Sequence, residues 1–234
     1  LILFDAGSGL TGPWGRLQGK NRADLFIGHV HADHIIGLFG FGALHNPEME
    51  IHLYGEARGG VSFRRQLEFF VGPPYWPIGF SDFRASVTIH EILPGQCVPL
   101  GGGLSMRVMR GNHPNQSLLY RLDGAGHSVV YTLDCEMNDS LLPQLRAFAE
   151  GADLLIWDAS FTDTDLARHP GWGHSSWRQG IEMGKAAGVK MVLMTHFSND
   201  YTDTFLHEQE RQALAEAPDG IAVRFAREGM EVRL

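Results

Sequence analysis

The stretch Gly28-His29-Val30-His31-Ala32-Asp33-His34 puts three imidazoles and one carboxylate within six consecutive residues, directly after an apolar run. Side chains alternate along an extended segment, so we expect His29 and His31 on one side, where both can reach one ion. Asp33 and His34 fall at the turn that follows and can face a second ion. Imidazole and carboxylate groups suit zinc and its transition-metal neighbours. The stretch therefore predicts a metal site at the end of a buried strand.

The length and composition indicate an ordinary globular protein. At 234 residues, with 44% hydrophobic and 20% charged residues, the chain can bury a full core. We expect one domain over residues 1–234, because no linker or low-complexity segment interrupts the chain. The sequence opens at Leu1 inside an apolar run, so we expect the native first strand of the fold to lie upstream of it.

The charge and the cysteine content narrow the class of partner. The formal net charge is −8, from 27 acidic and 19 basic residues, which argues against a general binder of nucleic acid or acidic membranes. Only Cys97 and Cys135 are present, so we predict no disulfide framework and a reducing, cytoplasmic location. No apolar run approaches the roughly 20 residues that a membrane span requires.

The hydrophobic pattern predicts many strands with helices interspersed. Strands are predicted over residues 1–5, 23–28, 49–54, 87–93, 104–109, 117–122, 128–133, 152–157, 189–195, 221–225 and 230–233. Helices are predicted over residues 35–44, 56–70, 138–150, 175–187 and 203–217. A shaped loop rich in proline, glycine and aromatic residues is predicted over residues 71–80. This pattern favours two sheets face to face with helices outside.

Three later positions carry ligand-type side chains at the ends of apolar strands. His113 follows one predicted strand, Asp134 ends another, and His196 ends a third. Taken singly, each is better explained as a capping or turn residue. Their occurrence in this order after a His-x-His-x-Asp-His cluster is far more specific, and it predicts that they complete the metal site.

With these residues in place, the chain resembles the metallo-β-lactamase superfamily. The resemblance implies an α/β (α+β) fold, a four-layer αββα sandwich with a site for two divalent ions, zinc or manganese. It implies that three histidines hold the first ion: His29, His31 and His113. It implies that three further residues hold the second: Asp33, His34 and His196. Asp134 would bridge the two ions.

The implied chemistry is hydrolysis through a hydroxide held between the ions. Two ions roughly 3.5–4 Å apart make such a hydroxide nucleophilic at neutral pH and also neutralise phosphoryl charge. Asp33 is expected to orient the hydroxide or to accept its proton.

Several branches of the superfamily remain open on the ligands alone. Some true β-lactamases use a cysteine ligand near Cys135, but Asp134 directly follows its strand, so we favour Asp134 as ligand and Cys135 as a packing residue. His31 occupies a position where the diiron oxygen-reducing branch has a glutamate, which argues against that branch. A thioesterase of the glyoxalase II type shares all seven ligands and is not excluded.

Two further motifs favour phosphodiester cleavage. Residues 171–176, Gly-Trp-Gly-His-Ser-Ser, and residues 195–198, Thr-His-Phe-Ser, resemble motifs of the transfer-RNA 3′-processing endonucleases and related phosphodiesterases. Asp158 stands where those enzymes have a glutamate. The resemblance implies that Asp158 orients His174, which helps to protonate the leaving oxygen. Whether the shorter aspartate reaches His174 is left open, as is a simpler role for His174 at the start of its helix.

The expected substrate is a small nucleotide-like diester. The long arm by which the processing endonucleases grip transfer RNA is not recognisable, and the loop at residues 71–80 is apolar rather than basic. The alternative is transfer-RNA 3′ processing, with nucleic acid as the partner; a thioesterase or lactamase, or a non-catalytic binding protein, is disfavoured. A homodimer is expected by resemblance, and no membrane partner is expected.

Overall fold

The computed structural model describes residues 1–11 and 19–234, and its contacts divide the chain into two compact units, Leu1–Pro94 and Gly95–Leu234. The expectation of one domain over the whole chain stays a prediction. Within the part of the chain that is described, no helix is both long and apolar enough to cross a bilayer.

The first unit contains a sheet of four parallel strands in the order β1-β2-β3-β4. Its strands are β1 (Ile2–Phe4), β2 (Arg22–Phe26), β3 (Glu50–Gly55) and β4 (Ser86–Glu91). Its helices are α1 (Ala32–Ile35) and α2 (Phe63–Phe70). Alternate strand residues such as Leu25 and Leu53 join Phe63 and Leu67 of α2 in one buried cluster. The period-two pattern of the strands therefore covers one face of the sheet with α2.

The prediction of an α-helix over residues 35–44 is wrong. Helix α1 is a single turn, and two short 3-10 segments follow it, Ile36–Gly40 and Gly42–His45. The amide of Gly37 donates to the carbonyl of Ala6 at 2.8 Å, and a Cβ at Gly37 would collide with the carbonyl oxygen of Gly7. The glycine is needed for this close backbone approach, which the hydrophobic pattern alone does not reveal.

The second unit contains a seven-stranded sheet in the order β11-β10-β9-β8-β7-β6-β5. Its strands are β5 (Cys97–Gly101), β6 (Leu104–Gly111), β7 (Ser117–Gly124), β8 (His127–Thr132), β9 (Leu154–Asp158), β10 (Met191–Thr195) and β11 (Ala222–Phe225). Strands β5 to β8 pair antiparallel, and β8 to β11 pair parallel. Its helices are α3 (Leu142–Ala149), α4 (Asp163–Leu166), α5 (Trp177–Ala187) and α6 (Asp203–Glu216).

Helix α5 has sharply defined ends. Ser176 and Gln179 form a reciprocal capping box, with each side chain accepting from the other residue's amide at 3.3 and 3.1 Å. At the other end Gly188 adopts a left-handed conformation with φ of 66°. The capping box fixes where the helix begins, and therefore the direction in which the chain enters it from His174.

The predicted fold class, a mixed α/β protein with two sheets and helices, is confirmed. The predicted strand over residues 230–233 is wrong: the amide of Met230 bonds to Arg227 in a turn, and no strand follows. Strand β5 was not predicted, because Pro99 argues against a strand. As the edge strand of its sheet, β5 tolerates a residue without an amide hydrogen.

Candidate metal centre

The first unit brings the four ligand-type residues of the opening stretch together. His29 and His31 follow β2, and Asp33 and His34 lie on α1. The ring centroid of His29 is 4.2 Å from those of both His31 and His34. The Nε2 atom of His34 is 3.2 Å from Oδ2 of Asp33, whose side chain is 62% exposed. Asp33 is thus the one carboxylate of this cluster that is open to solvent.

Asp5 fixes the orientation of His34. It follows β1, is buried, and its Oδ2 lies 2.6 Å from Nδ1 of His34. Its Oδ1 accepts from the amide of Gly28 at 2.6 Å. When a carboxylate accepts a hydrogen bond from Nδ1–H of an imidazole, Nε2 is left as the atom that can bind a metal. The sequence prediction missed Asp5, although it too is a polar residue at the end of an apolar strand.

The second unit brings the other three predicted ligands together, with two histidines beside one carboxylate. His113 follows β6, Asp134 follows β8, and His196 follows β10. Oδ2 of Asp134 is 3.6 Å from Nε2 of His113, and Oδ1 is 3.2 Å from Nε2 of His196. A buried carboxylate that presents one oxygen to each of two imidazoles has the geometry expected of a bridging ligand.

Both of these histidines are held through their other nitrogen. Nδ1 of His113 donates to the carbonyl of Gly173 at 3.0 Å, and Nδ1 of His196 lies 2.9 Å from the hydroxyl of Ser160. Contacts of this kind are typical of the residues that support metal ligands, since they set the tautomer and the ring orientation. Ser160 and Gly173 were not among the predicted site residues.

Three residues of the two clusters have backbones in the left-handed region. Asp5, Asp134 and His196 have φ values of 56°, 55° and 60°. Such conformations are unfavourable for residues other than glycine and are concentrated at functional sites. Here each allows the chain to turn sharply at the end of a strand while its side chain stays in the cluster.

Asp158 and His174 are in hydrogen-bond contact. Oδ2 of Asp158 is 2.9 Å from Nδ1 of His174, so the shorter aspartate does reach the histidine. The carboxylate is 1% exposed and also accepts from the amide of Cys135 at 3.3 Å. Its Oδ1 accepts from the amide and hydroxyl of Ser160 at 3.0 and 2.8 Å. Asp158 is therefore fixed on all sides, and it in turn fixes the imidazole of His174.

The environment favours the protonated form of His174. Burial by itself lowers the pKa of His174, but the hydrogen bond and charge of Asp158, with the charge of Asp134, outweigh it. The pKa is therefore raised above its ordinary value of 6.5, despite an opposing effect of His196. The arrangement suits an imidazole that donates a proton near neutral pH.

Cys135 has the surroundings of a packing residue. Its side chain is 1% exposed and lies in the core of the second unit with Leu119 and Leu141. Burial raises the pKa of its thiol to about 12. A thiol in such surroundings stays protonated and is a poor metal ligand.

Glu136 connects the segment after Asp134 to the segment before His174. Its two carboxylate oxygens accept from the amides of Gly171 and Gly173 at 3.0 and 2.8 Å. The sequence carried no signal for this contact, because the partners are backbone groups 35 and 37 residues away.

Six further histidines have no matching motif context in the sequence, which predicts surface or structural roles for them: His45, His52, His90, His127, His169 and His207. Two of them form a pair on the first sheet, where Nδ1 of His52 lies 2.8 Å from Nε2 of His90. His169 packs flat against Phe161, with ring centroids 4.8 Å apart.

The donor sets fit divalent metal ions. Each unit supplies imidazole nitrogens and a carboxylate, the ligand types that zinc and manganese accept. In the second unit, donor atoms of Asp134, Asp158, His174 and His196 all lie within 4.8 Å of one another.

Comparison with known proteins places the chain in a family. The model of the Beta-lactamase superfamily domain matches residues 1–197. Ribonuclease Z of Gemmatimonas aurantiaca is 26% identical over 281 residues, an alignment that covers 100% of this chain and 86% of that protein.

Three solved structures share the fold. The metallo-β-lactamase fold protein YhfI from Bacillus subtilis has a TM-score of 0.73 at 23% identity, covering 98% of this chain and 85% of that one. The short form of human tRNase Z has a TM-score of 0.70 at 21% identity, covering 98% and 86%. A diphosphatase from the PhnP family has a TM-score of 0.65 at 20% identity, covering 98% and 77%.

The family match covers most of the chain and agrees with the two sheets and helices of the fold. A fourth structure that shares the fold, PqqB from Methylobacterium extorquens, was solved with bound Zn²⁺ and has a TM-score of 0.71 at 17% identity, covering 100% of this chain and 83% of that one. The chain belongs to the β-lactamase superfamily, as a metal-dependent hydrolase of the metallo-β-lactamase fold that is related to ribonuclease Z.

Proposed function

We propose that this hydrolase is a phosphodiesterase that acts on a small nucleotide-like diester. The contact between Asp158 and His174, 2.9 Å long, carries the proposal. Cleavage of a phosphodiester expels an alkoxide, which is a poor leaving group unless it is protonated, and an oriented imidazole can supply that proton.

The proposed metal assignment follows the superfamily resemblance. We infer two ions per chain, each held by three residues. One set is His29, His31 and His113. The other set is Asp33, His34 and His196. Asp134 is the proposed bridge, which is supported by the separate histidine that each of its oxygens faces.

Divalent ions supply Lewis acidity and lower the pKa of bound water. The chain's own groups are assigned to the proton transfers. Asp33, with its exposed carboxylate, accepts the proton of the attacking water. His174 donates from Nε2 to the leaving oxygen, while Asp158 holds the proton on Nδ1. Ser160 keeps the Asp158 carboxylate in place by donating to Oδ1.

The preference for a small diester is supported by charge. The chain carries a net charge of −8, and it has no Lys/Arg-rich insertion of the kind that would grip folded RNA. The second candidate is transfer-RNA 3′ processing. It is favoured by the ribonuclease Z relative, whose alignment covers the whole of this chain.

A substrate panel separates the candidates. Purified protein loaded with manganese or zinc is assayed on cyclic mononucleotides, linear dinucleotides, a precursor transfer RNA, a thioester and nitrocefin. We expect turnover of the small diesters with a kcat/KM at least tenfold above that for the precursor. Efficient cleavage of the precursor at the discriminator end would favour the second candidate. Turnover of only the thioester or nitrocefin would overturn both.

A further inference from the structure

A row of aromatic rings leads outward from His174 in the second unit. The ring of Phe161 lies 5.7 Å from that of His174 and 4.8 Å from that of His169, with which it is parallel to within 7°. The ring centroids of His169 and Trp172 are 4.4 Å apart, and the two rings meet edge to face. Phe161 is 9% exposed, whereas Trp172 is 57% exposed. The row therefore begins in the core beside the proposed proton donor and ends at a tryptophan in solvent.

The loop that carries Trp172 is firmly held. The glycines on either side, Gly171 and Gly173, have φ values of 80° and 87°, and both of their amides donate to Glu136. A Cβ at Gly173 would collide with the ring of His113, so the loop lies directly against a proposed ligand. The tryptophan is thus presented at a fixed place, although most of its surface is in water.

His169, the inner neighbour of Trp172, is fixed just as closely. Its Nδ1 lies 2.7 Å from the carbonyl oxygen of Asp165, to which it donates. The carboxylate of Asp165 accepts from the hydroxyls of Tyr201 and Thr162 at 2.6 and 2.8 Å. The edge contact between His169 and Trp172 therefore joins two anchored segments, and little ordering is left to occur when a ligand binds.

We propose that Trp172 is a stacking surface for a nucleobase on the leaving side of the diester. The proposal rests on the phosphodiesterase function proposed above. His174 protonates the leaving oxygen, and Trp172 lies two residues before it on the same clamped loop, so the group that Trp172 touches belongs to the leaving side. A flat, exposed indole recognises any base through its π-face. Trp172 consequently selects for the presence of a base rather than for its identity.

The test compares two substrates that differ only in one base. One is thymidylyl-(3′,5′)-thymidine, and the other carries an abasic sugar in the leaving nucleoside. For Trp172→Ala we expect kcat/KM on the first substrate to fall about tenfold, mainly through KM, in line with base stacking on aromatic side chains. The abasic substrate should change less than twofold. Trp172→Phe should recover most of the loss, because a phenyl ring still stacks.

Leu214→Ala is the matched control, since it removes another exposed apolar side chain of the same unit (55% exposed) and should change neither substrate. Equal losses on both substrates, or no loss on either, would overturn the stacking role. If the wild-type protein cleaves no diester, the phosphodiesterase proposal fails instead. Calorimetric binding of thymidine 5′-monophosphate to wild type and Trp172→Ala then decides the stacking proposal alone. Weaker binding by the variant would support it, and equal affinity or no binding would overturn it.

Discussion

Asp5 and Ser160 each contact a histidine that is a proposed metal ligand. Each contact is made to Nδ1, while Nε2 of the same ring faces the cluster. Asp5 lies 2.6 Å from Nδ1 of His34, and Ser160 lies 2.9 Å from Nδ1 of His196. Ser160 also joins Asp158, and so links a proposed metal ligand to the group that orients His174. A single hydroxyl therefore contacts both a proposed metal ligand and the carboxylate beside the proposed proton donor.

Removing the Asp5 carboxylate should weaken metal binding without removing a ligand. For Asp5→Asn we expect metal affinity to fall about 10- to 100-fold, as is usual when a supporting partner of a metal-bound histidine is lost. Competition with a fluorescent chelator measures this. Glu48→Gln, an exposed carboxylate-to-amide change in the same unit, is the control. Unchanged affinity in Asp5→Asn would contradict the role given to Asp5.

At the residue scale the sequence indicated candidate ligands, but it did not indicate the residues that support them. His113, Asp134 and His196 could be proposed because a ligand-type residue at the end of an apolar strand is a local signal. Ser160 could not, because its role depends on His196, 36 residues away, and serine is common in turns. Asp5 had the same local signal as Asp134, and could have been found.

At the scale of elements, the loop before α5 depends on Glu136. Replacing Glu136 by Ala should release the amides of Gly171 and Gly173, since hydrogen bonds to a charged acceptor contribute about 1.5–3 kcal/mol each. We expect exchange of these two amide hydrogens to accelerate at least tenfold in NMR measurements. The amide of Gly188, which ends α5, serves as the internal control. Unaltered exchange at both glycines would show that the loop is held by other contacts.

The first sheet contains an acid-sensitive contact. Burial alone raises the pKa of Asp24. The hydrogen bond and charge of Arg22, with the hydrogen bond from Tyr54, together outweigh burial, so the pKa lies below its ordinary value of 3.8. A carboxyl with a depressed pKa in the folded state stabilises the protein above its unfolded pKa of about 3.9. That stabilisation is lost as the pH falls through the folded-state pKa.

Asp24→Asn should therefore flatten the acid limb of the stability profile. At pH 5 we expect the free energy of unfolding of the variant to be about 1 kcal/mol lower than that of the wild type. The difference is modest because Arg22 is 42% exposed. Between pH 4 and pH 2.5 it should lose less stability than the wild type. Urea unfolding at several pH values measures both. If the free energy of unfolding falls equally with pH in both proteins, Asp24 is not a source of acid sensitivity.

Polar caps mark the ends of helices more exactly than the apolar pattern from which the helices were predicted. Helix α5 begins two residues after its predicted start, because Ser176 forms the capping box. The segment after α1 could not be predicted, because its shape depends on the close approach of Gly37 to Ala6 and Gly7. Apolar periodicity reports which residues are buried, and does not report how near two backbones come.

For the whole molecule, the proposed ligands are divided between the compact units, four in Leu1–Pro94 and three in Gly95–Leu234. The proposed ligands come together only in the folded chain, so metal binding stabilises the folded state over the unfolded one. At a free metal concentration 100 times Kd the expected gain is about 2.7 kcal/mol. For a chain of this length this raises Tm by about 5–10 °C.

Calorimetry of chelator-stripped and reloaded protein, together with elemental analysis, tests this expectation. We predict two metal ions per chain and a rise of Tm on reloading. Asp134→Ala, which removes the proposed bridge, should reduce both. One ion per chain, or a Tm that does not respond to metal, would contradict the dinuclear assignment.

In the proposed mechanism His174, oriented by Asp158, protonates the leaving oxygen. The most direct test of this step is the kcat of His174→Ala on two diesters, one with a nitrophenolate leaving group and one that expels a sugar alkoxide. We predict a loss of about 10²- to 10⁴-fold on the alkoxide substrate, the usual contribution of general acid catalysis, and a much smaller loss on the nitrophenyl ester. Equal losses on both substrates, or full activity on the alkoxide substrate, would contradict it.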